Sequence, residues 1–420
     1  MPQFNIVLML YWWFYDILFN TYKRKQQNNY NMLRINSIDI NGIGPIFKLH
    51  LDFNSHFNII CGSNGIGKTT ILECIAQTFN CTNYSLRRNF LSDVGSWITS
   101  FANKESRENK KTTTIKALRP YEKTESYFEH RNEALKLVYY KTNRVLSYIQ
   151  VDSISKDPTF SDFSFSNQTH EGTPFSEIKR WFINRYLWST HSDSLCNEQM
   201  ENLTLAKSIF GTMDPGFSFD KVDPESFDII LNTPKGKIVL EQLSSGYISY
   251  IIVLLGIIKD IEYRFKNPHI CVRDFDGVLI VDEIDVHLHP ELQSKIYITL
   301  REMLPNAQIF TSTHSPHVIQ VARPNEVIPL VSEEDGNIHV NPIVNKKYGC
   351  QGWTIEEILQ DVMGMKDTRS ALYKDFLNKF NLALQNDDME TAHSVYNELT
   401  LMLHPDNVLR KVLEIQMIGG

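Results

Sequence analysis

Residues 61–70 of the chain read Cys61-Gly62-Ser63-Asn64-Gly65-Ile66-Gly67-Lys68-Thr69-Thr70. From Gly62 to Thr69 they match the phosphate-loop spacing G-x-x-x-x-G-K-[ST], which is among the more specific short motifs. Glycines in such a loop allow positive φ and a close approach of the backbone, so that successive N–H groups can surround a phosphate. Lys68 adds a positive charge directed at the terminal phosphates, and the Thr69 hydroxyl is a suitable Mg²⁺ ligand. We therefore predict that residues 62–70 bind the phosphate tail of a nucleotide.

The sequence on both sides of this loop supports the prediction. Phe57-Asn58-Ile59-Ile60 is typical of a short buried strand. Residues 70–79 are typical of a helix whose N-terminus directs its positive dipole end at the phosphates. The alternative is a glycine turn that matches the motif by chance, and such a turn needs neither a strand before it nor a helix after it. The strand–loop–helix context favours nucleotide binding.

The composition is that of a globular protein with a large core. The chain has 420 residues, of which 42% are hydrophobic and 22% charged, and this length predicts two or three domains. Its formal net charge of −7 provides no overall basic field to attract nucleic acid, while a local basic patch remains open. The six cysteines lie far apart without a C-x-x-C pair, which predicts thiols of a reducing cytoplasm rather than disulfides or zinc ligands.

Residues 1–31 form an apolar extension with a different composition. Residues 4–19 are strongly apolar and aromatic, and Lys23-Arg24-Lys25 follows them. The apolar run is short for a membrane span, and the positive charges lie on the wrong side for a secretion signal. Three interpretations stay open: a helix that docks on a membrane surface or a partner, a piece of the core, or sequence upstream of a start at Met32.

The remaining pattern predicts an alternation of strands and helices. Residues 33–60 predict two or three strands. Residues 104–125 are charged and polar, which indicates either a solvated turn between strands or a contact with nucleic-acid phosphates. Residues 156–174 predict a long loop. Further strands are predicted at 135–140, 227–231 and 237–240, and further helices at 181–188 and 200–210.

An apolar run ends in two acidic residues at Gly277-Val278-Leu279-Ile280-Val281-Asp282-Glu283. A carboxylate at the tip of a buried strand beside a phosphate loop can hold the Mg²⁺ shell, and we assign this role to Asp282. The adjacent Glu283 then points toward the γ-phosphate and polarises the attacking water. The alternative is a strand capped by two solvated acids.

Another buried strand, which ends at a histidine, is predicted in Gln308-Ile309-Phe310-Thr311-Ser312-Thr313-His314-Ser315-Pro316. A neutral imidazole at this place can donate a hydrogen bond to the γ-phosphate or position the water. The alternative for His314 is a histidine whose hydrogen bonds are satisfied within the structure.

A second anion site is predicted at Leu243-Ser244-Ser245-Gly246, which precedes a very apolar helix over residues 247–261. Hydroxyl groups, a glycine and free N–H groups at a helix N-terminus favour an anion. Alone, the pattern is more often a helix cap than a ligand site. The helix is too short to cross a membrane, and charged residues, Lys259 and Asp260, follow its apolar part.

Together the segments GSNGIGKTT, LSSGYIS, VLIVDEIDVHLHP and TSTHSP resemble the motifs of ABC-type ATPases in order and spacing. The His-Leu-His-Pro after the second acid is similar to the branch that contains the RecF, SMC and OLD families rather than membrane transporters. The resemblance covers residues 33–330. It implies an α/β fold, the ABC-type head of a P-loop NTPase with a mixed sheet, flanking helices and an antiparallel β lobe.

The resemblance also implies a role for each motif, with ATP and Mg²⁺ as cofactors. Lys68 and Thr69 would hold phosphates and metal, and Asp282 would complete the metal shell. Glu283 would be the catalytic carboxylate and His314 the switch histidine. The signature motif, which caps the ATP held by a second protomer, corresponds to Ser244, Ser245 and Gly246. The chain is therefore expected to form a homodimer, or a higher oligomer of dimers, through ATP-bridged heads.

The sequence departs from the family pattern at the signature. It reads Leu-Ser-Ser-Gly instead of Leu-Ser-Gly-Gly, and Tyr247 stands where a glutamine or glutamate is common. The glutamine of the family's Q-loop is not identifiable. His287 and His289 suggest a metal pair, whereas the resemblance assigns both to the loop after the catalytic acid.

We predict three regions: the extension over 1–31, an ATPase head over 32–345 with a helical insert lobe at about 85–225, and a C-terminal helical region over 346–420. In the last region, helices are predicted at 354–363, 368–385, 388–403 and 406–416, with apolar residues at helical spacing at Leu372, Phe376, Leu377, Phe380 and Leu384. This tail resembles that of the ATPase subunits of Septu and related retron anti-phage systems, which work with a separate HNH nuclease subunit.

The resulting hypothesis is a cytoplasmic ATPase that senses infection or nucleotide state and regulates a partner HNH nuclease, with no nuclease centre of its own and no membrane partner. Retron DNA or another nucleic acid is a further expected partner. Two alternatives remain: a RecF-like DNA repair ATPase that binds DNA across its dimer, and a scaffold that binds ATP without hydrolysing it.

Overall fold

The structure, a computed structural model, describes residues 32–81, 84–105, 108–124, 131–143, 151, 153–333, 336–344 and 346–419. The predicted apolar extension over residues 1–31 lies outside the described residues. The chain divides into two compact units, one that ends at Gly364 and one that begins at Met365. Each unit is described by itself.

The larger unit alternates strands and helices. Its strands, in chain order, are β1 (Leu33–Ile43), β2 (Ile46–Asp52), β3 (Phe57–Gly62), β4 (Gly95–Asn103), β5 (Asn109–Ile115), β6 (Leu137–Tyr140), β7 (Ser218–Val222), β8 (Ile229–Thr233), β9 (Gly236–Val239), β10 (Val278–Val281), β11 (Gln308–Ser312), β12 (Val327–Ser332) and β13 (Ile338–Val340). Its helices are α1 (Lys68–Gln77), α2 (Asp162–Glu171), α3 (Ile178–Trp188), α4 (Asn197–Met213), α5 (Ser245–Arg264), α6 (Pro290–Met303), α7 (Pro316–Val321) and α8 (Ile355–Glu357), which continues as a π-helical turn over Ile358–Val362.

The central sheet has the strand order β13-β12-β3-β11-β10-β6. All its neighbouring strands are parallel except the edge pair of β12 and β13. Every residue of β3, β6, β10 and β11 is buried, because a parallel sheet is covered on both faces and its strands are mostly apolar. In this sheet β11 lies between β3 and β10, so that the carboxyl ends of these three strands meet at one edge.

An antiparallel sheet of order β2-β1-β4-β5 and a smaller sheet of order β7-β8-β9 accompany the central sheet. The mixed sheet, the flanking helices and the antiparallel lobe predicted from the sequence are thus confirmed. Residues 85–225, predicted as one insert lobe, are spread over several parts of the unit. Within them, β4 and β5 extend the antiparallel sheet, β6 extends the central sheet, and α2, α3 and α4 supply helices.

The prediction of a turn at residues 104–125 is wrong over Asn109–Ile115, which is strand β5. This segment pairs with β4 and buries alternate residues, including Lys111 and Thr113. Its run of three threonines and an isoleucine is β-branched, and such residues suit a half-buried strand in spite of the flanking charges.

The prediction of a long loop at residues 156–174 is also wrong, because Asp162–Glu171 forms α2. Ser161 begins this helix with a capping box, in which its hydroxyl accepts the Ser164 N–H. Phe165 and Ser166 are then buried, and the Ser166 hydroxyl accepts the N–H of Cys81 at 2.8 Å. Because this segment is short and polar, its sequence pattern does not predict a helix. The capping box and the packing of its buried residues stabilise the helix instead.

The smaller unit consists of α9 (Ala371–Gln385), α10 (Met389–Met402) and α11 (Leu409–Gly419) around an apolar core that includes Phe380, Val395 and Leu399. The predicted C-terminal helical region is therefore confirmed, although Leu372 is exposed. The helix predicted at 354–363 is the short α8 with its π-helical turn. It belongs to the larger unit, since Ile358 and Val362 are buried in that unit's core.

Across the described residues, no helix combines the length and the apolar composition that a membrane crossing requires. The six cysteines are free thiols, and all but Cys196 are buried.

Candidate nucleotide-binding site

The loop at residues 62–69 connects the buried strand β3 to α1 through three glycines with positive φ, Gly62 (140°), Gly65 (76°) and Gly67 (105°). A Cβ atom on Gly62 would lie 2.5 Å from the Leu330 carbonyl oxygen of the neighbouring strand, so that this position admits only glycine. Gly67 immediately precedes α1 in a left-handed conformation. The N-terminal N–H groups of α1 and their dipole thus lie at the end of this loop, where an anion is favoured.

Lys68 is 7% exposed and lies over the same loop. Its Nζ donates hydrogen bonds to the carbonyl oxygens of Gly62 and Ser63, both at 3.0 Å. Burial lowers the pKa of Lys68, and the nearby acidic groups Glu283, Asp282 and Asp285 oppose this effect. Two neutral carbonyl oxygens therefore hold the ammonium group. Phosphate oxygens can replace them, and their negative charge would make the hydrogen bonds stronger.

Asp282 follows β10 and lies against Thr69 at the start of α1. The Thr69 hydroxyl donates to the carboxylate at 2.9 Å to Oδ2, and the Ser312 hydroxyl donates to Oδ1 at 2.5 Å. The Asp282 backbone N–H donates to the Tyr140 carbonyl of the edge strand β6 at 2.9 Å. A carboxylate and a hydroxyl in direct contact form an oxygen-only donor set, which fits the preference of Mg²⁺ for hard ligands.

Glu283 adopts a left-handed backbone conformation with φ of 48°, which is unfavourable for a residue other than glycine. The conformation is held by the hydrogen bond from the Glu283 N–H to the Ser312 hydroxyl, at 2.7 Å. Ser312 therefore contacts both acidic residues, donating to the side chain of Asp282 and accepting from the backbone of Glu283. Its position at the end of β11, between β3 and β10, makes this double contact available.

His314 lies on the loop between β11 and α7, with an exposed side chain. Asp285 fixes the loop, because its Oδ1 accepts both the Thr313 hydroxyl at 2.6 Å and the His314 N–H at 3.2 Å. Ser315 caps α7 and donates its hydroxyl to Gln293 at 2.6 Å. Within the described chain the His314 imidazole makes no hydrogen bond, which disfavours the alternative of a structurally satisfied histidine.

The signature residues lie at the start of α5, where Ser244 and Ser245 are exposed. Gly246 faces the loop after Glu283, since a Cβ there would lie 3.1 Å from the His287 carbonyl oxygen. The described contacts include none between residues 244–246 and residues 62–70. Lys68, Thr69, Asp282 and Glu283 are thus brought together within one chain, and the signature segment is not part of that group.

The paired-histidine alternative finds no support in the described geometry. His287 and His289 are exposed in the loop between β10 and α6, and His287 has a φ of 62°. Among the residues with described positions, no group of three histidine, cysteine or acidic side chains is arranged to hold a metal ion. Their place in the loop after Glu283 matches the assignment from the resemblance.

Sequence reasoning missed Ser312 and Asp285 as site residues. Both lie inside motifs that were singled out, but their roles depend on the order of strands in the sheet, which the motifs do not contain. Hydroxyl residues at the end of a buried strand were the available signal for Ser312. A third carboxylate two residues after Glu283 was the signal for Asp285.

Comparison with known proteins agrees with this geometry. A family model described as AAA domain, putative AbiEii toxin, Type IV TA system matches residues 57–320. The Septu protein PtuA of Bacillus thuringiensis is 42% identical over 391 residues, which cover 92% of this chain and 98% of that protein. The chain belongs to the Septu PtuA family. A second Septu protein PtuA, from Bacillus mycoides, is 24% identical over 84% of this chain and 48% of its own length.

Beyond the PtuA family, the Retron Vc95 probable ATPase of Vibrio cholerae is 25% identical over 66% of this chain and 69% of that protein. Among solved structures, the SMC head domain from Thermotoga maritima shows 13% identity and a TM-score of 0.40, over 74% of this chain and 98% of that chain. The family model and the sequence relatives confirm the predicted resemblance to a P-loop ATPase family associated with Septu and retron defence. In this PtuA-family chain the matched residues 57–320 contain all four motifs.

Proposed function

We propose that this chain binds ATP with Mg²⁺ and hydrolyses it as the ATPase subunit of an anti-phage defence complex. The observation that carries the proposal is the group formed by Thr69, Asp282, Ser312 and Glu283, connected by hydrogen bonds of 2.5–2.9 Å beside the loop at 62–69. A phosphate loop alone would also fit a scaffold that only binds ATP. A second acid fixed in an unfavourable backbone conformation favours hydrolysis instead.

In the proposed reaction, the loop amides of residues 63–70 and the Lys68 ammonium group bind the phosphate oxygens. When bound, Mg²⁺ would neutralise charge on the β- and γ-phosphates, and Thr69 and Asp282 are the residues that would hold it. Glu283 accepts the proton of the attacking water, while the His314 imidazole donates a hydrogen bond to a γ-phosphate oxygen. Lys68 and the amides stabilise the charge that develops as the γ-phosphoryl group leaves.

The complete site would contain two copies of the chain. Ser244 and Ser245 are exposed at the start of α5, next to the half-buried Gly246, and no hydrogen bond among the described residues joins these three to the phosphate loop of their own chain. In a homodimer, or in a larger assembly of dimers, these groups would close over the ATP bound by the partner. ATP would then join two heads, and hydrolysis would release them.

The relatives support the wider context. Proteins named for Septu and for retrons resemble this chain, and we propose that it senses infection or nucleotide state and regulates a separate HNH nuclease subunit in the cytoplasm. Retron DNA or another nucleic acid is a further proposed partner. The smaller unit, with α9, α10 and α11, is the proposed region for assembly or partner docking.

The substitution Glu283→Gln tests the hydrolytic step. It keeps the size of the side chain but removes the base, so that phosphate release is expected to fall by at least about 100-fold. ATP binding should persist, and size-exclusion chromatography with ATP and Mg²⁺ should detect an enriched dimer or larger assembly. The matched control is Glu291→Gln, an exposed acid at the start of α6, which should behave as wild type. Persistent turnover in the Glu283 variant would show that this residue is not the base.

A further inference from the structure

Tyr139 lies on the same face of the central sheet as Asp282. Strand β6 runs parallel to β10 with Tyr139 opposite Ile280, and side chains alternate between faces along a strand. Tyr139, Ile280 and Asp282 therefore point to one side of the sheet. On that side Tyr139 and Ile280 pack in one apolar cluster with Ile71 and Ile75 of α1, the helix that follows the phosphate loop.

The hydroxyl of Tyr139 is buried and has no hydrogen-bond partner among the residues that the structure describes. The residue is 0% exposed, and its OH makes no hydrogen bond to any part of the chain that the structure describes. Its neighbour Tyr140 points to the other face, where its OH is bonded to Asp260. Burial of an unpaired hydroxyl destabilises a fold, so that such a group in a native protein calls for a partner outside the described chain.

Two acidic residues, Glu73 and Asp282, act electrostatically on this hydroxyl, and Asp282 belongs to the proposed metal site. Burial raises the pKa of Tyr139 well above its usual value, and the carboxylates of Glu73 and Asp282 raise it further. Glu73 lies on α1 one turn after Thr69, so that both residues are on one face of the helix. Lys141 donates to Glu73 at 2.9 Å, and its Nζ is 5.8 Å from the centre of the Tyr139 ring.

We infer that Tyr139 is a positioning residue of the nucleotide site, whose hydroxyl oxygen accepts a hydrogen bond from a water molecule in the shell of the Mg²⁺ that Thr69 and Asp282 would hold. The inference rests on the proposed binding of ATP with Mg²⁺. A water bound to Mg²⁺ directs its oxygen lone pair at the metal, so its hydrogen is donated and the tyrosine oxygen accepts it. Lys141, which is paired with Glu73 near the tyrosine ring, would neutralise the Glu73 carboxylate.

The test is Tyr139→Phe, with Tyr84→Phe as the matched control. Tyr84 is an equally buried tyrosine that packs edge-on against Trp97, outside the site. In each protein, binding of the fluorescent analogue mant-ATP is titrated with Mg²⁺, and the melting temperature is measured without ligand. For Tyr139→Phe we expect an unchanged or higher melting temperature without ligand, since the lost group has no partner. The Mg²⁺ concentration at half-maximal binding should rise about three- to tenfold, as for the loss of one hydrogen bond.

The control variant should keep the wild-type Mg²⁺ dependence. If Tyr139→Phe keeps it as well, or only lowers the melting temperature, the hydroxyl has a structural role and the inference is overturned while ATP binding stands. If wild type and both variants all fail to bind mant-ATP with Mg²⁺, the proposed function itself fails, and the inference fails with it.

Discussion

The two segments of the larger unit that are predicted to bind anions differ in how far one chain organises them. At residues 62–69 the side chains of Lys68 and Thr69 are each held by hydrogen bonds, to loop carbonyls and to Asp282. At the start of α5, Ser244 and Ser245 are exposed, and the Ser244 side chain does not cap the helix. The first segment is preorganised by its own chain, whereas the second presents its donors outward, as expected of a group that acts on a partner molecule.

The largest effect is expected from a change in the outward segment. Ser245→Glu suits the N-terminus of α5, because a carboxylate interacts favourably with the helix dipole, but it would repel the γ-phosphate of ATP bound by a partner. We expect phosphate release to fall by about 100- to 1000-fold, as for the loss of a donor in a catalytic anion site. Binding of mant-ATP at low protein concentration should stay within about twofold of wild type, since one chain forms the phosphate loop by itself. The control is Ser208→Glu, on the exposed side of α4.

A mixing experiment sharpens the same comparison. Lys68→Ala removes the phosphate-binding cation and keeps the signature, whereas Ser245→Glu keeps the cation and alters the signature. Each variant alone should be inactive. An equal mixture should regain about a quarter of wild-type turnover, because half of the dimers are mixed and one of their two sites is intact. If the mixture stays inactive while mixed dimers are shown to form, residues 244–246 do not complete the site of a partner chain.

How much the sequence predicts differs between these segments for a physical reason. The phosphate loop needs glycines, a lysine and a hydroxyl at fixed spacing in one stretch of chain, so that local sequence specifies it. The contacts of Ser312 with Asp282 and Glu283 join residues about thirty positions apart, and they depend on β11 lying between β3 and β10. Periodicity predicts each of these strands but not their order. The free hydroxyl of Tyr139 is likewise visible only once β6 is placed beside β10.

A medium effect is expected at this long-range contact. Ser312→Ala removes the hydrogen bond to the Asp282 carboxylate and the acceptor for the Glu283 N–H. Loss of a hydrogen bond to a charged group corresponds to a fall in turnover of about 10- to 100-fold. The fall should appear mainly in the rate at saturating ATP, because Lys68 and the loop amides still bind the nucleotide. Steady-state phosphate release at varied ATP separates the two parameters.

The control for this prediction is Ser332→Ala, an exposed serine at the end of β12 on the other side of β3. It should leave both parameters unchanged. Wild-type turnover in Ser312→Ala would mean that the left-handed conformation of Glu283 is maintained by the rest of the turn and that Ser312 has no part in positioning the base.

The smallest effect on the site is expected from a change that belongs to neither segment. Ser161 caps α2, and α2 contacts the region after α1 through the hydrogen bond between Ser166 and Cys81. Ser161→Ala should lower the free energy of unfolding of the larger unit by about 1 kcal/mol, as for other N-cap serines. Urea-induced unfolding followed by circular dichroism measures this loss, and Ser155→Ala, at an exposed serine before the helix, is the control. Binding of mant-ATP and turnover should not change, since the phosphate loop is held by β3, β11 and β10 rather than by α2.

A weaker affinity for mant-ATP in the Ser161 variant would contradict this expectation. It would show that the preorganisation of residues 62–69 extends through α1 into α2. The contrast with residues 244–246 would then involve more of the fold than the loop itself.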